Sequence, residues 1–398
     1  MIIGIPREIM QGENRVAAIP ETVEKFVKLG FEVRVETCSG KGIHCTDQEY
    51  EKAGAVVVPD AESLYRNADI ILKVKEPLFN ETAGKHELDL MKEGSILITF
   101  LHPAAPSNHQ MIKRLSEKGI TSFTMDGIPR ISRAQTMDAL TSMSTITGYK
   151  SVLIAANHLP KFVPMISTTI GSMSPARFLV VGIGVVGLQA LATVKRLGGT
   201  VTAVDIRDEA RKAAGSLGAK MGGFEVPADL AVGKGGYAKA LPADWLEKER
   251  TSLTPLIRES DAVILCALVP GEVAPVLVTD EMISGMKPGS VIVDVSIDQG
   301  GNCSITEPGK EFLKDGVTIS GLKNIPGRVP VHSSWLYANN MFHYVKNLYK
   351  KGVDTLDLDD EIVKNSLVTH QGRIVYEGAL KAFGRKTAEV GLRQPLSA

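Results

Sequence analysis

The sequence predicts an α/β chain of two successive domains, each a parallel sheet covered by helices, with the first domain discontinuous. Three observations lead there. Short β-rich runs alternate with helical stretches twice along the chain, the pattern of parallel sheets. A run of three glycines, Gly182-Ile-Gly184-Val-Val-Gly187, stands between an apolar strand and an amphipathic helix. The 398 residues are more than one ordinary core organises.

In the first alternation, Met1–Ile5, Glu32–Glu36, Ala55–Val58, Ile70–Val74, Ser95–Phe100 and Thr121–Met125 read as strands. Glu21–Leu29, Asp47–Ala53 and Asn108–Lys118 have helical spacing between them. Met137–His158 reads as a long connecting helix. The second alternation places strands at Phe178–Gly182, Thr200–Asp205, Ala262–Cys266, Val291–Val295 and Val317–Ser320. Ser333–Tyr349 again has a helical apolar pattern and is expected to lead the chain back to the first domain. The expected boundaries are therefore 1–140 with 335–398, and 141–334. Gly222–Ala240, rich in glycine and alanine, is expected to be a mobile loop.

Composition narrows the function. Lys plus Arg and Asp plus Glu both number 45, so no net charge favours nucleic acid or an anionic membrane as partner. Cys38, Cys45, Cys266 and Cys303 have neither CxxC spacing nor the density of a disulfide framework, which favours a reducing cytoplasm. The most apolar stretch, Phe178–Val194, contains three glycines and Gln189 and is shorter than a membrane span. The eight histidines lack the close spacing of a metal site. The Gly233–Lys239 run is not followed by the Gly-Lys-Ser/Thr of a phosphate loop.

The glycine run carries the first functional reading, a Rossmann-type dinucleotide site. Gly182 allows the tight turn, Gly184 lets backbone approach a pyrophosphate, and Gly187 lets helix pack on strand. Val185 and Val186 open the helix, whose unpaired N–H groups and dipole favour an anion. Asp205, at the end of the next strand, is placed to accept hydrogen bonds from ribose hydroxyls and to repel a 2′-phosphate, favouring NAD(H). Ile206 and Arg207 follow it, and Arg207 is placed to offset that repulsion in part. The bland alternative is a tight turn with a surface aspartate, but strand, glycines, helix and acid all agree.

Beyond this motif the chain resembles the alanine dehydrogenase/pyridine nucleotide transhydrogenase family over nearly all its length. Gly4-Ile-Pro-Arg-Glu8, Glu13-Asn-Arg15-Val-Ala, Leu72-Lys-Val-Lys75-Glu-Pro77 and Lys287-Pro-Gly-Ser-Val-Ile-Val-Asp294 are similar to family motifs in the family's order. Pro129-Arg130-Ile-Ser-Arg-Ala-Gln135-Thr-Met-Asp138, Gly235-Gly-Tyr237-Ala-Lys, Leu268-Val-Pro-Gly271 and Gly300-Gly-Asn302-Cys-Ser-Ile-Thr-Glu-Pro308 resemble its NAD(H)-binding transhydrogenase subunits. The resemblance implies that Arg130, Gln135 and Asp138 lie beside the nicotinamide and that Tyr237 closes over the nucleotide. It also places Ala267 and Leu268 against the cofactor, and implies a homodimer with NADH bound between domains. Leu101-His102-Pro-Ala-Ala and Asp294-Val-Ser-Ile-Asp298-Gln-Gly-Gly301 look instead like alanine dehydrogenase, whose catalytic arginine and lysine match Arg15 and Lys75.

Two mechanisms follow. Oxidative deamination of a small amino acid to a 2-oxo acid would use Arg15 on the substrate carboxylate. Lys75 would hold the carboxylate or carbonyl oxygen, His102 would move the proton, and Asp298 would orient water. Transhydrogenation needs no proton chemistry: two nicotinamide rings are positioned and water is excluded. Separate NADP(H)-binding and membrane subunits would then be partners, drawing a cytoplasmic chain to the inner membrane. A non-catalytic NAD(H) sensor is a third reading. Ordinary surface or turn roles compete for each charged residue, most strongly for Asp298 before its Gln-Gly-Gly turn.

Overall fold

The computed structural model describes residues 1–233, 236–269, 272–353 and 355–391. Gly235 and Gly271, quoted above, lie outside the described residues. The chain divides into two compact units, Met1–Met143 with Gly327–Ala398, and Ser144–Pro326. The divisions fall within the helix Ala139–His158 and just before the helix Pro330–Leu348.

In the first unit, β1 (Ile2–Ile5), β2 (Glu32–Glu36), β3 (Val56–Val58), β4 (Ile70–Leu72), β5 (Ile96–Thr99) and β6 (Thr121–Thr124) form a parallel sheet. Its order is β6-β5-β4-β1-β2-β3, extended beyond β6 by the antiparallel strands Leu367–His370 and Arg373–Ile374. Both faces are buried. Ile70 and Leu72 enter one core with Ile3, Ile5, Val33 and Val35, while Ile71 and Leu97 enter another with Leu64 and Ile112. A sheet covered on both sides explains why these strands read as continuous apolar runs rather than alternating ones. Local chemistry sets the helix starts. Thr46 and Glu49 form a capping box, Thr46 N–H donating to the Glu49 carboxylate at 2.7 Å. Asp60 accepts from Ser63 N–H at 2.7 Å.

The second unit repeats the plan. Its strands are β7 (Arg177–Val181), β8 (Thr200–Val204), β9 (Lys220–Met221), β10 (Ala262–Leu265), β11 (Val291–Asp294), β12 (Glu311–Lys314) and β13 (Val317–Ser320). They stand in the order β9-β8-β7-β10-β11-β13-β12, parallel except for the edge strand β12. Phe178 and Val180 face one core, Leu179 and Val181 the other. Connections run one way from β7 and the other way from β10, so their carboxyl ends form the crevice where such sheets bind ligands. The same reversal lies between β1 and β4 in the first unit.

The expected mobile loop Gly222–Ala240 has structure of its own. Ala228–Ala231 is a helical turn, and Val232 bridges Ala238. Among the described residues, no helix is long and apolar enough to cross a membrane.

Candidate functional site

The β7–β10 crevice holds most of the residues expected to bind a dinucleotide. After β7 the backbone turns at Gly182, whose φ is +90°. A Cβ there would lie 2.6 Å from the Ala267 backbone, so the exits of β7 and β10 are nearly in contact. A Cβ on Gly187 would lie 2.2 Å from the Gly182 carbonyl oxygen, so only glycine lets the helix Val185–Arg196 seat against the turn. One on Gly184 would meet nothing within 4 Å, leaving an open backbone face. The helix has no side-chain N-cap and no acidic residue in its first turn. Val185, Val186 and Gly187 therefore present N–H groups to an anion without a protein carboxylate competing. This bare helix start, flanked by one glycine that is open and one that is sterically required, fits a pyrophosphate.

Asp205 follows β8 and is 6% exposed. One carboxylate oxygen accepts from Ile183 N–H at 2.6 Å and Arg207 Nη2 at 2.9 Å; the other accepts from Arg207 N–H at 2.8 Å and Nε at 3.1 Å. Its lone pairs are thus largely engaged by the protein, and a ribose hydroxyl bound there would have to share or displace the Arg207 guanidinium. Arg207 also donates to the carbonyls of Ile183 and Gly236, tying the glycine turn to the segment before Tyr237. Beside this pair is a cavity of ≈ 380 Å³ lined by Ile206, Arg207, Ala210, Val226, Ala231 and Val232 among others, a mixed apolar and charged wall suited to an aromatic base. Cys266 is buried and its thiol donates to the Gly182 carbonyl at 2.9 Å. Burial pushes that thiol well above its usual range, which makes it inert.

Three further residues, none of them assigned a role from the sequence, shape this crevice. Asn302, fully buried, accepts from Ala267 N–H at 2.9 Å and donates to the Ala267 and Pro275 carbonyls, fixing the exit of β10 that leads to Leu268. Asp294 accepts from the N–H groups of Asn302 and Cys303 and holds that turn. Gly148, mid-helix, approaches the Val186 carbonyl so closely that a Cβ would stand 2.2 Å from it. Only the Gly-Gly-Asn spelling hinted at Asn302; Gly148 had no local signal.

The remaining expected residues divide between the units. Asp298 lies in the second, 57% exposed and 3.5 Å from Lys323. Arg15, Lys75 and His102 lie in the first, with Arg130, Gln135 and Asp138. Arg15 is 4% exposed, and Glu13 clamps its guanidinium with contacts of 2.8 and 2.6 Å. Burial works against the Glu13 carboxylate, but Arg15 outweighs it and holds the group below its usual range. Lys75 stands just beyond β4, half-buried, its charge within reach of Glu13 and His102. Beneath it is a buried network. Lys73 lies 2.9 Å from Glu87 and 3.5 Å from Glu8, Tyr65 donates to Glu87 at 2.7 Å, and Glu8 accepts from Val74 N–H at 2.6 Å. Burial pushes Glu8 up to about 7 despite Lys73.

His102 adopts a left-handed backbone, φ +44°. Its Nδ1 lies 2.8 Å from the Asp126 carboxylate, another residue the sequence reading missed, since Asp126 sits on a different strand exit. Burial disfavours the charged imidazole, but Asp126 outweighs it and raises the pKa above the ordinary histidine value. Arg130 and Gln135 are exposed, whereas the Asp138 carboxylate accepts from Thr141 N–H at 2.9 Å and caps the helix Ala139–His158. Among the described residues no group of His, Cys, Asp and Glu has the arrangement of a metal site.

Comparison with known proteins follows the same division. The family model for the N-terminal domain of alanine dehydrogenase/PNT matches residues 4–147, and that for its C-terminal domain matches 151–377. The chain is 42% identical over 379 residues to the first part of the NAD(P) transhydrogenase alpha subunit of Rhodospirillum rubrum, covering 94% of this chain and 98% of that one. It is 34% identical to the alanine dehydrogenase of Methanococcus maripaludis, covering 96% of each. The crystal structure of a transhydrogenase from Sinorhizobium meliloti superposes with a TM-score of 0.82 at 38% identity, over 94% of this chain and all of that one. With sheets, glycine turn and whole-length similarity in agreement, the chain belongs to the alanine dehydrogenase/PNT family of NAD-dependent oxidoreductases.

Proposed function

We propose that this chain is the NAD(H)-binding subunit of a transhydrogenase, passing hydride between NADH and NADP+ with an NADP(H)-binding subunit and a membrane subunit as partners. The observation that carries the reading is whole-length similarity to proteins named as the first part of the transhydrogenase alpha subunit. In this reading the helix start at Val185–Gly187 takes the pyrophosphate, and Asp205 with Arg207 takes the adenosine ribose. Arg130 and Gln135 orient the nicotinamide, and Tyr237 shields it from water. Asp138 supports that turn by capping the next helix. Bound NADH supplies the hydride. The chain acts as a homodimer.

A second reading, an autonomous amino-acid dehydrogenase of the alanine type, is favoured by the acid–base pair His102–Asp126 beside Lys75. The purified chain, given NADH with pyruvate or glyoxylate and ammonium, separates the two. The transhydrogenase reading expects tight NADH binding without oxidation, and transfer to NADP+ once the partner subunits are added. Rapid turnover that disappears in His102→Ala would overturn it in favour of the dehydrogenase.

A further inference from the structure

Arg130 and Gln135 are exposed on a stretch of turns and short 3-10 helix between β6 and the helix Ala139–His158. One distant helix holds that stretch at two places. At its start, Gly127 packs so closely on the Asn365 carbonyl, near the end of the helix Glu361–Ser366, that a Cβ would stand 2.4 Å from it. Further on, Arg133 Nη1 donates at 2.8 Å to Asp360, the N-cap of the same helix, 227 residues away in the chain. Arg130 lies between the two attachments. The Asp360 carboxylate, 3% exposed, also accepts from Ile362 N–H at 2.9 Å, Lys350 Nζ at 2.7 Å and Asn347 Nδ2 at 3.3 Å. That last bond turns the Asn347 amide so that its oxygen accepts from Arg133 at 3.1 Å. One helical residue earlier on the same face, Asn340 donates to the Thr136 carbonyl at 2.9 Å. Beneath the stretch, Ile128, Ala134 and Met137 are buried in the first unit's core.

We propose that Asp360, through Arg133 and the helix it caps, is the positioning residue for the Arg130–Gln135 stretch, fixing where these two side chains meet a nicotinamide. The inference rests on the transhydrogenase reading, which assigns Arg130 and Gln135 to that ring, and it deepens that reading. Long exposed side chains orient a ligand only as well as their backbone is held, and a misplacement of about 1 Å can cost about a hundredfold in rate. Buried apolar residues fix the depth of the stretch, but they leave it free to shift along the surface between them. The directional bonds to Asp360 and Asn347 remove that freedom. Because Arg133 is 48% exposed, the pair adds little to global stability. Its effect is local. Lys350 keeps Asp357 as a partner at 2.8 Å when the Asp360 charge is removed, whereas Arg133 is left with the Asn347 amide oxygen.

The test compares NADH with ADP-ribose, which carries the same pyrophosphate and riboses but no nicotinamide, in titrations of the full chain. Asp360→Asn removes the charge and keeps a good helix cap. It should weaken NADH by about threefold or more and leave ADP-ribose unchanged. Arg133→Met, at a half-exposed position, should do the same and carries the test if Asp360→Asn fails to fold. Arg133→Lys, which keeps the charge, should recover part of the NADH affinity. Equal losses for the two ligands would mean a merely structural role and overturn the proposal, as would unchanged NADH affinity in a folded variant. Hydrogen exchange on the chain without nucleotide reads the anchoring directly. Amides of residues 128–138 should exchange faster in either variant by a similar factor, while those of β1–β5 keep their rates. Unchanged exchange there also overturns the proposal. Arg130→Ala separates the two claims. If it affects NADH and ADP-ribose alike while exchange in the Asp360 variant quickens, the nicotinamide assignment fails and the anchoring stands.

Discussion

At the scale of single residues, the ionisable groups of this chain serve two purposes that burial alone does not separate. Lys73, Glu8, Glu87 and Tyr65 form a closed network with little exposure, and they support the strand exit that carries Lys75. His102 and Asp126 make an equally short contact but leave the ring accessible. Accessibility, not the strength of the pairing, marks the site able to act on a ligand. Glu249 shows what an isolated buried carboxyl does to stability. Burial, joined by the charge of Asp205, pushes it up to about 7 from 4.5. A carboxyl raised in the folded state contributes stability that is fully present below pH 4.5 and lost as pH rises through about 7. Glu249→Gln, which does not titrate, should therefore gain on the native chain by at most about 3 kcal/mol between pH 4 and 8. Parallel pH slopes in urea denaturation of the two proteins would refute this.

At the scale of elements, the strand–turn–helix unit β7, Gly182–Gly184 and Val185–Arg196 is built around one steric requirement. The 2.2 Å clearance at Gly187 means that alanine there forces helix and turn apart. Gly187→Ala is expected to cost roughly 1–3 kcal/mol, the usual effect of overpacking, and to weaken NADH binding at least tenfold because the helix N–H groups shift away from the pyrophosphate. Alanine at Gly184, where a Cβ meets nothing within 4 Å, should leave thermal stability nearly unchanged and still impair binding. Melting curves and NADH titrations of the two variants test the pair together; equal stability losses would remove the distinction between packing and ligand approach.

At the scale of the whole molecule, the chain is two units of related plan, each a mainly parallel sheet with a reversal in strand order at its centre. Only the second carries the glycine turn, so a nucleotide held at that turn would act on that unit's stability directly. NADH at a hundred times its dissociation constant should stabilise the native state by about 2.7 kcal/mol and raise the melting temperature. NADPH should raise it much less, because the buried Asp205 carboxylate opposes a 2′-phosphate and Arg207 is already engaged with it. Equal stabilisation by both nucleotides would show that Arg207 swings away and that Asp205 does not discriminate.

The sequence by itself determined the fold class, the central parallel strands of both sheets and the glycine turn. Each is a local property: apolar runs of strand length, helical spacing between them, and glycines at fixed offsets. Strands such as Glu311–Lys314 and Leu367–His370, whose mixed polar pattern reflects partial burial, were not legible in the same way. Tertiary structure decided everything that depends on contact between distant segments. It put Arg207 onto the Gly236 carbonyl, and used Asn302 to fix Ala267. It also brought Asp126 from the exit of β6 to His102 at the exit of β5. Spacing along a chain says which residues share a strand end, but the pairing of two strand ends across a sheet is set by strand order. That order is set by how the connections between strands cross over the sheet.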